Sequence, residues 1–465
     1  MREALLRAEP IAGAASPIDV YAALLSEGAL RPFLLESALA DPDLGRWSFA
    51  GAGPEAVIEG AAEGGPDPLA ALGAAIEAAR GGVSPQALGR ARGELFPGGL
   101  PFAGGAVGFI AYDFARRLER LPSRARDDQR FPALSFGLYR HVLAHDGARW
   151  WAVGSAEGFE AALRAAERTL ARALRLASDR PPIEPIRPRP ARRSFLPDAY
   201  CAAVARAIEY VRAGDIFEVN LSQRFEVDLP EPPIAVYRRL RERAAAPFCA
   251  LLDIGGGRAV LSLSPERFLA LRGRRVETRP IKGTRRRGAT PEEDRALSAE
   301  LFASEKDRAE LAMIVDLERN DLGRVAEAGS VRVAAAAELK TFTGVHHLVG
   351  RVEALLRKDC GPIDLLRATF PGGSITGAPK VRAMEIIEEI EPVRRSVYCG
   401  AIGYLGWDGD LDLSIAIRTA LVDGPRLTFQ AGGAITAASD PEAERDETIA
   451  KARAIADAVG AEIDA

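Results

Sequence analysis

Apolar and polar residues alternate along several short stretches of the C-terminal half: 216-IFEVNLSQRFEV-227, 248-FCALLDI-254, 259-AVLSLS-264, 399-CGAIGYLGW-407, 412-DLSIAIRTALV-422 and 427-LTFQAG-432. A period of two sends successive side chains to opposite faces, so these stretches read as strands of antiparallel sheets with one covered face. Between them the apolar spacing lengthens to that of helices at about 291–317, 362–369, 378–389 and 441–458. The regular strand–helix beat of a doubly wound sheet is missing, which predicts an α+β architecture built on large antiparallel sheets. Upstream, 46-RWSFAG-51 and 148-ARWWAVG-154 are strand-like. The stretches 159-FEAALRAAERTLARALRLA-177 and 198-DAYCAAVARAIEYVRAG-214 are helical, the second opening on an aspartate suited to N-capping and closing on glycine.

One stretch breaks both periods. The prolines of 179-DRPPIEPIRPRPARRSF-195 cannot sustain a helix and favour extended backbone. It reads as a linker or surface crossover between an N-terminal segment, 1–178, and a region 196–465. The 465 residues suit two domains or one large one, and 48% apolar residues are enough for a sizeable core. The formal net charge of −4 comes from interspersed acids and bases, which argues against a nucleic-acid partner. The four cysteines, 201, 249, 360 and 399, show no C-x-x-C spacing, so buried, reduced thiols are expected. No signal peptide and no apolar run of membrane-spanning length is present, and a soluble cytoplasmic protein is expected.

Candidate chemistry gathers in three kinds of segment. In 277-ETRPIKGTRRRG-288, Lys282 lies among arginines. A cationic setting lowers a lysine's pKa and makes its amine a usable nucleophile, although a solvated basic loop has the same composition. Asp307 and Glu310 share one helix face, and Glu444 and Glu447 share another, with Lys451 four residues on. Carboxylates from two facing helices suit Mg²⁺, a hard cation; the same spacing also serves a merely solvated face. The glycine-rich turns 371-PGGSITGAPK-380 and 430-QAGGAIT-436 offer backbone amides to an anion, the first of them opening a helix at about 378–379.

Taken in order, 264-SPERF-268, 280-PIKGTRRRG-288, 306-KDRAELAMIVDLERNDLGRV-325, 346-HHLVG-350, 370-FPGGSITGAPKVRAMEIIEEIEP-392, 400-GAIGYLG-406, 414-SIAIRTA-420 and 447-ETIAKA-452 resemble the chorismate-utilising enzymes. The upstream 33-FLLESALADPDLGRWSFAG-51 resembles the companion segment of the aminase branch. The resemblance implies two antiparallel sheets packed together with helices outside, the N-terminal segment completing the sheets. P-I-K-G-T, where the anthranilate branch reads P-I-A-G-T, is similar to the aminodeoxychorismate synthase branch. There Lys282 would attack C-2 of chorismate as the C-4 hydroxyl departs, and ammonia would then add at C-4 and expel the lysine from C-2.

Residue by residue, the resemblance makes Glu266 the acid that protonates the leaving C-4 hydroxyl and places His347 beside it. It gives Mg²⁺ to Glu310 and Glu447 directly, with Asp307 and Glu444 in its water shell. Backbone at Gly283, Thr284, Gly432 and Gly433 would face carboxylates. Tyr404, Arg418 and Lys451 would grip the enolpyruvyl carboxylate, and Thr376 and Gly377 would line the pocket. Leu34, Leu35, Glu36 and Ser37 keep half of a tryptophan-pocket pattern. Two departures stand out: Glu218 where aminases mostly have glutamine, and Ala434 for the third glycine of its turn. No cysteine has a glutaminase setting, so a separate glutamine amidotransferase subunit is the expected ammonia source. An anthranilate synthase component and a catalytically silent chorismate-binding homologue are the alternatives.

Overall fold

The computed structural model describes residues 5–39, 44–96, 99–179, 186–229, 231–342 and 344–463. These residues build two antiparallel sheets of twelve and ten strands, with helices outside them, the α+β architecture expected from the alternation pattern. The first sheet runs Leu6–Ile11, Trp150–Ser155, His141–His145, Ser48–Gly51, Phe33–Glu36, Phe248–Gly255, Arg258–Ser264, Thr419–Asp423, Arg426–Ile435, Glu218–Asp228 and Arg192–Arg193, with Gly377–Ala378 added beside Glu218. The second runs Ile281–Arg286, Val345–Leu355, Arg275–Arg279, Arg267–Arg272, Leu411–Ile415, Ala401–Gly406, Gly105–Ile110, Leu134–Tyr139 and Ala56–Gly60, with Arg332–Thr341 beside Val345–Leu355. Strands from before and after the proline-rich stretch therefore share both sheets. The described part of that stretch lies along edges: Arg192–Arg193 pairs with Phe225 and Glu226, and Arg189–Pro190 with Ala461–Glu462. Residues 180–185 lie outside the described residues.

The main core fills the space between the sheets, where Phe33 and Phe49 of the first share one cluster with Phe109, Phe136, Leu348 and Val352 of the second. Burying each such side chain stabilises by about 1.5–3 kcal/mol. A second cluster packs helices such as Pro441–Val459 on the outer face of the first sheet. All four cysteines are free thiols, two of them buried.

The structure divides two expected elements. The helix expected at 291–317 is two, Pro291–Ala303 and Glu305–Gly323, because Ser304 leaves helical backbone and caps the second by accepting from the Asp307 amide, 3.2 Å. The strand expected at 412–422 is also two. Leu411–Ile415 belongs to the second sheet and Thr419–Asp423 to the first; between them Arg418 has φ +50°. The chain changes sheets the same way at Pro265–Glu266, and the amide of Ile415 donates to the Glu266 carbonyl, 3.0 Å, joining the two crossings. Three strands, Arg267–Arg272, Arg275–Arg279 and Ile281–Arg286, were not expected. Their arginines hide the alternation, since Arg267 and Arg279 are buried against Asp412 and Glu277. The helix after 371-PGGSITGAP-379 is Lys380–Ile390, with Pro379 as its extended cap rather than in its first turn.

Buried charge pins the glycine-rich 371–378 turn to its neighbours. Arg395 bonds Glu391 at 2.6 and 2.9 Å, the Ile375 carbonyl at 3.0 Å and the Asn220 carbonyl at 2.6 Å. Glu391 in turn accepts from the amide and hydroxyl of Ser222, 2.8 and 2.9 Å. Removing one partner of a buried pair strands the other charge, at a cost of about 3–5 kcal/mol. Arg395→Ala is therefore expected to lose that much stability in equilibrium denaturant melts; a loss under about 1 kcal/mol would mean that the pair behaves as an exposed one.

Candidate active site

Lys282 lies on the edge strand of the second sheet, opposite Leu348, and the register slips between Lys282 and Thr284. Gly283 carries the slip with φ +74°, and a Cβ there would stand 2.9 Å from Leu301 and 3.0 Å from Asp307. Only glycine allows both the left-handed turn and the close approach of the Glu305–Gly323 helix. The slip leaves Lys282 buried with its Nζ 2.5 Å from Glu218 Oε1, an ion pair that ties one sheet to the other. Glu218 is fully buried at the start of its strand, opposite Ala378. Gly377 makes this possible, since a Cβ there would collide with the Glu218 carbonyl.

The flanking arginines do not act on Lys282 as the sequence led us to expect. Arg285 turns to Glu300 and Asp307, Arg286 to Glu293 and Arg287 to Asp294. Burial lowers the lysine's pKa, but Glu218, with Glu310 and Glu266 behind it, outweighs burial and holds it above its ordinary value. The amine rests as an ammonium ion. Sequence proximity misled here because side chains of one strand leave it on opposite faces.

Glu266 sits at the crossing between the sheets. Burial pushes its carboxyl up to about 7, although a hydrogen bond from Ser374, the charge of Lys282 and the Ile281 amide all oppose the rise. A group half protonated near neutrality can donate a proton, as the sequence reading required. Ser374, which no sequence signal singled out, is held by its turn: the Gly373 amide donates to Glu318, 2.8 Å, and Lys380 bonds Asp321, the Pro371 carbonyl of the turn and the Thr369 carbonyl that ends the preceding helix. Thr376 is buried in the same turn with its hydroxyl bonded to the Gly372 carbonyl, 3.0 Å.

His347 lies one residue from the lysine's strand partner. Its Nδ1 is 2.9 Å from Thr284 Oγ1 and 3.4 Å from the Gly283 carbonyl oxygen, while Nε2 is buried with no hydrogen-bond partner among the described residues. Burial, then Arg418, His346 and Lys451, lower its pKa to about 4, so the ring is neutral. Arg418 occupies the other crossing, and among the described residues its guanidinium meets no acid; burial alone lowers its pKa. Lys451 bonds the Gly432 carbonyl at 3.0 Å and Glu447 at 2.6 Å. An unpaired guanidinium beside a neutral imidazole and an ammonium favours an anion.

Lys306 is the link between the two acid pairs. Glu444 and Glu447 both approach Gly433, whose added Cβ would stand 3.0 and 3.9 Å from them, and Lys306 of the other acid helix acts on both as well as on Glu310. Among the described residues no three such side chains close together as a metal-ligand set. The donors still fit a hard cation: Glu310 Oε1 is buried without a hydrogen-bond partner among the described residues, its nearest cation Lys306 at 3.9 Å, and burial lifts its carboxyl to about 7. Glu447 is taken up by Lys451 and Glu444 by Ser439, 2.7 Å. Ala434 continues its strand opposite Asn220, so the missing glycine costs nothing there.

Tyr404 is elsewhere. Its ring packs on Phe49 and Phe102, Arg272 bonds its hydroxyl at 2.8 Å, and it lines a cavity of about 320 Å³ with Leu35, Glu36, Ser37, Trp47 and Phe248. None of the Lys282 cluster lines that cavity. The assignment of Tyr404 to the carboxylate grip is therefore corrected. Period-two alternation along Ala401–Gly406 sends its side chain into the space between the sheets. Glu36 is buried there, held by Arg241 at 2.8 and 2.9 Å.

A two-sheet α+β fold with lysine, acids and an unpaired arginine gathered where strands change sheets defines an enzyme of the chorismate-binding class. The chain belongs to that family, whose model, described as chorismate binding enzyme, matches residues 33–457. Aminodeoxychorismate synthase component 1 of Klebsiella aerogenes is 44% identical over 358 residues, 77% of this chain and 77% of that protein. Anthranilate synthase component 1 of Thermus thermophilus is 44% identical over 374 residues, 79% of each. The crystal structure of anthranilate synthase component I from Streptococcus pneumoniae TIGR4 superposes with a TM-score of 0.75 at 32% identity, covering 90% of this chain and 93% of that one. No helix among the described residues is long and apolar enough to cross a membrane.

The raised Glu266 carboxyl has a measurable consequence. An acid whose folded pKa lies above its ordinary 4.5 costs stability as pH rises toward the folded value, here about 7. The full cost is on the order of 3 kcal/mol. Glu266→Gln is expected to gain on the wild type in melts from about pH 4.5 to 7 and to keep that margin above; a margin that does not change with pH would mean an ordinary carboxyl.

Proposed function

We propose that the chain is the chorismate-converting component of an aminodeoxychorismate synthase, joining ammonia to chorismate through a covalent bond to Lys282 on the route to para-aminobenzoate and folate. The observation that carries this reading is the buried Lys282 amine, 2.5 Å from Glu218 and within the field of Glu266 and Glu310. A desolvated lysine among buried acids is a chemical group, not a solvated loop.

In this reading the neutral amine attacks C-2 of the ring. Each ring double bond shifts one position, the C-4–oxygen bond breaks, and Glu266 supplies the proton that lets the hydroxyl leave as water. Ammonia adds at C-4, the double bonds shift back, and the electron pair of the C-2–nitrogen bond returns to Lys282. Arg418 grips the enolpyruvyl carboxylate with Lys451 close by, and the neutral His347 presents Nε2 near the leaving hydroxyl. Glu310 and Glu447 would hold Mg²⁺, with Asp307 and Glu444 in its water shell. A bound ion supplies positive charge for the ring carboxylate. Gly283, Thr284, Gly432 and Gly433 offer backbone to the carboxylates. Ammonia comes from a partner glutamine amidotransferase; relatives named component 1 point to a second component.

The second reading, an anthranilate synthase component, has in its favour a Thermus relative as similar as the Klebsiella one. Chromatography of the product from chorismate, ammonium and Mg²⁺ separates the two. The expected product is 4-amino-4-deoxychorismate; Lys282→Ala is expected to lose its formation by on the order of a thousandfold, with anthranilate dominating what remains. Anthranilate from the wild type, or an undiminished variant, overturns the proposal.

Leu35, Glu36 and Ser37, half of a tryptophan-pocket pattern whose other half 244-AAAPFCA-250 lacks, line a cavity of about 320 Å³ that suits a small ligand, and tryptophan is the candidate to test. Calorimetric titration with tryptophan should give saturable heat; its absence removes this assignment without touching the catalytic one.

A further inference from the structure

A nucleophile that rests as an ammonium ion cannot attack. Lys282 must first lose a proton, and no water channel is needed to remove it, because an acceptor is already in contact. Glu218 Oε1 is 2.5 Å from Nζ, and the only other donor to that oxygen among the described residues is Asn220 Nδ2, at 3.4 Å. Glu218 Oε2 is fully buried with no hydrogen-bond partner among the described residues. That bare oxygen is an acceptor with nothing bound to it. The charges facing the pair are acids from three other elements: Glu266 at the sheet crossing, Glu310 on one acid helix and Glu447 on the other.

We infer that Glu218 is the positioning and proton-accepting residue for Lys282, taking the proton from Nζ before the amine attacks and returning it when the amine is expelled. The inference rests on the covalent reading above and deepens it. The balance closes within the site. Proton transfer turns ammonium and carboxylate into amine and carboxylic acid, so the pair passes from two charges to none. Attack on C-2 makes a secondary ammonium while Glu266 loses its proton to the leaving hydroxyl. Addition of ammonia at C-4 breaks the C-2–nitrogen bond, and its electron pair leaves Lys282 as a neutral amine that retakes the proton from Glu218. The new C-4 ammonium gives its proton to Glu266, which resets the acid. A carboxylate here does what an amide cannot, since a glutamine in the same place could hold the lysine but not accept its proton.

The test is a chorismate pulse to the full chain with Mg²⁺ and without ammonia, followed by quenching and intact-mass measurement of the adduct with time. Glu218→Gln is expected to slow adduct formation by about 100-fold or more, the usual reach of a positioned base, and Glu218→Asp to stay within about tenfold. Glu218→Ala should be slowed as well and recover with added formate in a saturable way, a readout that a purely structural role would not move and that does not depend on the glutamine variant folding. Glu218→Gln matching or exceeding the wild-type rate, or Glu218→Ala indifferent to formate, overturns the role of Glu218. A wild type that forms no adduct overturns the covalent reading itself, so the two failures are told apart.

Discussion

The contact between Lys282 and Glu218 is the constraint around which this site is arranged. Bringing two opposite charges out of water costs several kcal/mol per ion, which their attraction offsets only at close range with the remaining groups satisfied. Here the attraction spans the two sheets, from an edge strand of one to a strand start of the other. Much of the local backbone serves that closeness. The slip at Gly283 turns the lysine inward, and the bare backbone of Gly377 lets the neighbouring turn lie against Glu218. The Arg395–Glu391 pair then fastens that turn to the same strand.

The second organising feature is where the chain changes sheets. Glu266 and Arg418 stand at separate crossings, one between strands ending at Ser264 and starting at Arg267, the other between Ile415 and Thr419. At a crossing the side chain no longer has to fill the core face or the outer face of a sheet, so a carboxyl or a guanidinium can be buried and still face a shared space. The result is a division of charge. Acids gather about Lys282 and along two helices, while Arg418, Lys451 and a neutral His347 form a cationic corner. In the proposed reading the corner grips one carboxylate of the ring, and the other would be met by a cation held at the acids.

Much of this was legible in the sequence. Alternation in 259–264 and 427–432 matched real strands within a residue at their starts, and the helix expected at 441–458 is Pro441–Val459. The acid pairs at i and i+3 were visible because helix geometry is local. The arginine-rich ladder from Arg267 to Arg286 was not, because Arg267 is buried against Asp412, 145 residues away, and Arg279 against Glu277 on its own strand. Nor was the break at Arg418, where an apolar run continues through a change of sheet and a left-handed residue.

Sequence alone determined the sheet-rich α+β class and the family, and it named candidate reactive groups, because periodicity and short motifs depend on residues close together in the chain. Tertiary structure decided their states. Lys282 meets a carboxylate 64 residues away instead of its neighbouring arginines, and Tyr404 turns to a different cavity. Burial and counter-charge set whether an amine or a carboxyl carries its proton, and both are properties of how distant strands are brought together.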